Sequence, residues 1–125
     1  MPRRGVLMPK PRGAGDLRSK VKFQRRADST DEYGNTVTDW ADLDIVRSAS
    51  LLPARGSEQI QAGRVAGKAQ WDCWVRSDNQ TRSIGPADRL VDVRTGRVFN
   101  ISFVGDMDGG GAWLLIQAES GGADG

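Results

Sequence analysis

The chain has 125 residues, with 18 Lys or Arg, 16 Asp or Glu, no His and one Cys, and its length suits a single domain. Without histidine there are no histidine triads or histidine metal ligands, and a lone Cys73 excludes an internal disulfide or a thiolate zinc site. The net charge of +2 hides a division: residues 1–26 carry nine cations against Asp16 alone, a net +8, which leaves −6 on the other 99 residues.

Residues 1–14 combine three prolines and two glycines with the cations Arg3, Arg4, Lys10 and Arg12. That composition resists packing and predicts a flexible basic arm. The segment lacks the apolar stretch and cleavage site of a secretory leader, and Met8 offers a second candidate start. From Leu17 the pattern alternates, with Leu17, Val21 and Phe23 on one face and Arg18, Lys20, Lys22, Gln24 and Arg26 on the other. Period two predicts a half-buried strand. Asp31 to Thr36 reads as a turn around Gly34-Asn35, and Val37, Trp40, Leu43, Ile45, Val46 and Leu51 mark a second extended run with a bend or bulge, ending at Pro53.

Residues 54–68 hold either an N-capped helical turn after Ser57 or a mobile loop, with Gly63 and Gly67 keeping any helix short. Alternation resumes at 69–76, where Ala69, Trp71, Cys73 and Val75 share a face and Trp74 points away. Residues 77–82 are turn-like, and Gly85-Pro86-Ala87-Asp88 marks a corner that suits an Asp88–Arg89 ion pair. Residues 89–94 and 97–104 form a hairpin around Thr95-Gly96, with Phe99, Ile101 and Phe103 as its apolar face. Glycines 109–111 are a hinge, 113–119 is a last strand, and 121–125 should fray. About six short strands with at most one short helix predict an all-β fold, a small antiparallel β-barrel or sandwich over residues 15–120. No apolar run is long enough for a transmembrane helix, and no membrane partner is expected.

Chemistry-bearing constellations are sparse. Cys73 shares the Trp71 and Val75 face and reads as a buried inert thiol. Asp106 and Asp108 lack the further ligands of a calcium loop, Gly109 to Ala112 lacks the lysine of a phosphate loop, and Asp88 with Asp92 has no cleft to serve. No cofactor, metal or catalytic residue is assigned, and the chain reads as a non-enzyme. The charges carry more information. A cationic strand face of Arg18, Lys20, Lys22 and Arg26 is followed by an acidic run that includes Asp39, Asp42 and Asp44. A solvated face is the bland reading and phosphate contact the sharp one; acid–base pairing between adjacent subunits is the reading we favour, with Trp74 as an aromatic subunit contact.

The succession Gly15-Asp16-Leu17-Arg18-Ser19-Lys20-Val21-Lys22-Phe23-Gln24-Arg25, Asp31-Glu32-Tyr33-Gly34-Asn35 and Trp40 resembles the head–tail joining proteins of long-tailed double-stranded DNA phages, also called connectors, adaptors or stoppers. Ile84-Gly85-Pro86-Ala87-Asp88-Arg89-Leu90 followed by Gly96-Arg97-Val98-Phe99-Asn100-Ile101 is similar to their second hairpin, and the likeness runs over residues 15–119. The resemblance implies a small β-barrel that closes a six- or twelvefold homo-oligomeric ring in the virion neck, assembled in the host cytoplasm. Its partners would be a portal or adaptor ring above, a tail terminator or tail tube below, and double-stranded DNA in the channel. It also implies a channel loop at Gly56, Ser57, Glu58, Gln59, Gln61, Gly63, Arg64, Gly67 and Lys68. The alternatives are a nucleic-acid-binding barrel acting through the arm and first strand, and a tail terminator or tail completion protein.

Overall fold

The structure, a computed structural model, describes residues 10–11, 13–54, 69–107 and 109–120. Six strands follow one another: β1 (Ser19–Thr30), β2 (Thr36–Pro53), β3 (Ala69–Arg76), β4 (Arg89–Asp92), β5 (Val98–Gly105) and β6 (Trp113–Ser120). All pairings are antiparallel, and the order β1-β2-β3-β6-β5-β4 closes on itself as a barrel. Closure gives every strand a partner on both edges over at least part of its length. Among the described residues the helical elements are two 3₁₀ turns, Ala14–Asp16 and Thr81–Ser83, while the helical turn considered after Ser57 lies outside the described residues.

Alternation fills the interior. Val21, Phe23, Ala49, Cys73, Val75, Leu90, Phe99, Ile116 and Ala118 are all fully buried in one core cluster. The Phe99 ring meets Trp71 edge to face at 5.3 Å between centroids, and the Trp71 indole N–H donates to the Ser120 hydroxyl. A second cluster lies on the other face of β3 and β6, where Trp74, Trp113 and Leu115 are buried with Leu17 packed against them. Trp71 and Trp74 therefore serve opposite faces, as their spacing predicts, but Trp74 is only 4% exposed. This removes it as an open subunit contact, because the chain's own Leu17 segment packs over its cluster.

Two bulges adjust the faces. Lys22 pairs with Val46 and Gln24 with Asp42, so Phe23 stands opposite three residues, Leu43, Asp44 and Ile45. Two extra residues preserve parity, and both Leu43 and Ile45 still reach the core. Asp44 takes the left-handed conformation at φ 61°, which aspartate tolerates better than most side chains. This is the bulge foreseen in the second run. The other bulge corrects an expectation: between Ile101 and Phe103 one extra residue, Ser102, enters β5 and reverses the alternation. Val104 then packs against the core, while Phe103 turns outward, 38% exposed, with its ring over Gly105.

Candidate functional site

The barrel has two dissimilar ends, and strand length explains one of them. β4 pairs with β1 only from Val21 to Gln24, and β3 pairs with β2 only from Ser50 to Pro53. Beyond those limits residues 25–30 and 36–41 pair with each other alone and leave the barrel as a two-stranded ribbon. Six residues of strand add roughly 20 Å before the turn. The turn closes through Asp31, whose backbone N–H donates to Asn35 and whose carboxylate accepts the N–H groups of Tyr33 and Asn35, while Gly34 takes φ 83°. Those N–H bonds, the Asn35 one foremost, hold the Asp31 carboxyl below the usual range.

The root of the ribbon is fastened on both faces. Arg25 shares parity with Val21 and Phe23, and at its level the inward side is no longer core but the 83–88 corner. Its guanidinium bonds both oxygens of Asp88, at 2.8 and 3.0 Å, and donates to the Ser83 carbonyl. Asp88 also accepts the Gly85 N–H. Burial opposes its ionisation, yet the Arg25 and Gly85 bonds prevail and its carboxyl sits below the ordinary value. The expected corner carboxylate is thus present, but the bond that holds it comes from Arg25. On the other face the Trp40 ring meets two guanidinium groups, Arg89 at 4.3 Å and Arg26 at 5.3 Å from its centre. Arg89 also donates to Gln24, Gln24 donates to Asp42, and Lys22 sits 3.6 Å from Asp42.

Four of the charges assigned from sequence to subunit pairing are therefore engaged within one chain: Lys22 with Asp42, Arg26 with Trp40, and Asp44 in a backbone bulge. Asp39 stands on the exposed ribbon and accepts the Trp40 N–H. Sequence reasoning missed the anchors Arg25 and Trp40. The available signal was Arg25 itself, a charge at an inward-parity position immediately after Phe23.

The opposite end gathers cations. Val93 N–H donates to the Lys20 carbonyl and the Arg94 side chain to the Arg18 carbonyl, which brings the β4–β5 turn beside the start of β1. Arg97 lies over Trp71 at 5.3 Å. Asp92 is spent on that turn, accepting the Arg94 N–H, and Asp16 stands in the neighbouring 3₁₀ turn. Pro53 and Ala69, which bound the segment expected to be the channel loop, are at this same end, beside Trp71 and Ser120. Residues 56–68 themselves, and Arg3, Arg4 and Arg12 of the basic arm, lie outside the described residues; Lys10 is exposed.

Little here resembles a reaction centre. Cys73 is fully buried, and burial, aided by Asp72 and Asp92, pushes its thiol well above the ordinary value. Among the described residues no cluster of acidic, His or Cys side chains could hold a metal ion, and no helix is long and apolar enough to cross a membrane.

Comparison with known proteins agrees with an assembly part. The sequence matches the family described as phage head completion protein over residues 12–121. No curated protein matches it. Its fold is similar to the solution structure of protein SF1141 from Shigella flexneri 2a, at 22% identity and a TM-score of 0.64 over 88% of this chain and 97% of that one. It is also similar to a chain in the virion of a native gene transfer agent particle, at 23% identity and a TM-score of 0.57, covering 81% of this chain and 91% of that chain.

Proposed function

This chain belongs to the phage head completion protein family, a structural family of the phage particle, and we propose that it forms a homo-oligomeric ring in the neck joining the DNA-filled head to the tail. The observation that carries the reading is the family match, which spans the whole barrel from residue 12 to 121. A closed barrel supports it, since a rigid body that presents defined surfaces suits a brick of a ring. In this reading the barrel of residues 15–120 is the brick and residues 1–14 are the basic arm. The 56–68 segment, leaving the cationic end, lies at the lumen and retains DNA until the tail engages. The portal or adaptor ring stands above and the tail terminator or tail tube below. The role is structural and not catalytic.

The test is genetic and morphological. Particles produced without the chain should have filled or leaking heads that lack tails, and the wild-type gene should restore tails. Replacing Gly56 to Lys68 with a short glycine–serine linker should leave joining intact but release the genome from untailed heads. Tailed, genome-retaining particles made in the absence of the chain would overturn the proposal.

A further inference from the structure

Among the described residues the ribbon pairs with no third strand. Among the described residues both of its edges, along 25–30 and 36–41, are unpaired, and its tip exposes Tyr33 at 81% and Val37 at 40%. An isolated two-stranded hairpin is marginal in water and an open strand edge invites pairing. Even so, this one is held out from the barrel by Arg25–Asp88 on one face and by the Arg26–Trp40–Arg89 stack on the other. Between Arg26 and Arg47 the chain carries six acidic residues and no cation. Lys22 neutralises Asp42, but Asp28, Glu32 and Asp39 have no cation within ion-pair distance among the described residues; Asp28 accepts only the Thr38 hydroxyl. At the far end of β1, roughly 33 Å of strand away, Arg18, Lys20 and Arg94 are exposed, and Arg18 and Arg94 bond only backbone carbonyls.

An element that projects from one pole, with the opposite charge waiting at the other, is the arrangement a head-to-tail contact needs. Two-fold pairing would require one self-complementary patch, whereas a closed ring requires two different surfaces that match. We infer that the β1–β2 ribbon of one subunit docks end-on at the cationic pole of the next copy, with Glu32 at its tip and Asp28 and Asp39 on its two faces set among Arg18, Lys20 and Arg94, and with Tyr33 covered in the contact. The inference rests on the ring reading above and names its interface. Charge pairing of this kind sets register and speeds encounter more than it adds affinity, so assembly should weaken with salt.

Charge reversal tests it. D28K/E32K/D39K and R18E/K20E/R94E are made in the full chain, with D28N/E32Q/D39N as a milder variant, and folding is checked by circular dichroism. Self-association is followed by sedimentation from micromolar to millimolar chain at low salt. Wild type should associate in a concentration-dependent way, each reversal should lose this at least tenfold, and the neutral variant should lie between. Mixing the two reversals should restore association, because both junctions then match.

A wild-type chain that stays monomeric at millimolar concentration, or reversals that associate like wild type, would overturn the inference. So would a cationic-pole variant that loses duplex DNA binding while associating normally. Particle complementation separates the two readings. If the gene is needed for tails but both reversals complement fully, the neck role stands and the ribbon contact fails. If the reversals abolish and their mixture restores association in a chain that particles do not need, the contact stands and the neck role fails.

Discussion

At the residue scale Asp88 is the side chain whose chemistry is most exposed to test. It is 4% accessible, bonded twice by Arg25 and once by the Gly85 N–H. Because its folded carboxyl lies below the unfolded value of about 3.9, its contribution is complete above that pH and is lost as pH falls through the lower folded value. Asp31, Asp42 and Asp78 are shifted the same way, the last chiefly by the Thr81 N–H and by Arg47. Stability should therefore be level between pH 6 and 8, where a chain without histidine has little to titrate, and should decline below about pH 4. Asp88→Asn should cost about 1–3 kcal/mol at pH 7, discounted toward the lower figure because Arg25 is half exposed, and the deficit should shrink in acid. Urea unfolding at pH 7 and pH 3 measures both; an unchanged midpoint at pH 7 would contradict the role given to this pair. Phe99→Ala, which empties a fully buried site against Trp71, should cost about 3–5 kcal/mol in the same assay.

At the scale of elements, the ribbon ought to behave as a unit separable from the barrel. Trp40→Ala removes the surface on which Arg26 and Arg89 rest, each contact contributing roughly 0.5–1 kcal/mol at an exposed position. Amides of 25–30 and 36–41 should then exchange roughly tenfold faster, while those of β3 and β6 keep their protection. Uniform acceleration across the barrel would show that the ribbon is not an independent unit. The same element explains what the sequence could and could not yield. Strict alternation in β1, β3 and β5 exposed the strands and most of the core, from Val21 and Phe23 to Cys73 and Phe99. Where the barrel ends along β1 was legible only from β4's length, because the pairing period is identical in ribbon and barrel. The reversal at Phe103 was hidden for a related reason: an extra Ser102 looks like any outward polar residue until its partner strand is known. Lys22 and Asp42, read as partners across subunits, meet within one chain because the bulge at Leu43 to Ile45 sets Asp42 opposite Gln24, one same-face step from Lys22.

For the whole molecule, closure of the barrel depends on Val21 meeting Asp92 and on Ala69 meeting Ser120, pairings between distant parts of the chain. Such topology places folding in the range of milliseconds to seconds, and stopped-flow fluorescence of the buried tryptophans is the measurement; relaxation within about 100 μs would be inconsistent with it. The fold class and the likeness to phage head–tail joining proteins were both legible in the order of turns and strands, since turn chemistry at Asp31 to Asn35 and at Gly85 to Asp88 fixes where the chain reverses. The distribution of charge was legible only as a tally along the sequence. Its separation onto two poles appears once β1 is seen to run the length of the body and beyond. Arg25 on one face and Trp40 on the other, gripped by Asp88 and by Arg89 of the barrel, make the protruding hairpin a cantilever with a built-in root. A sideways load at Tyr33 is resisted by a couple between the Asp88 corner and the Arg89 guanidinium under Trp40, so bending moment passes into the wall of the body instead of being dissipated in a floppy joint.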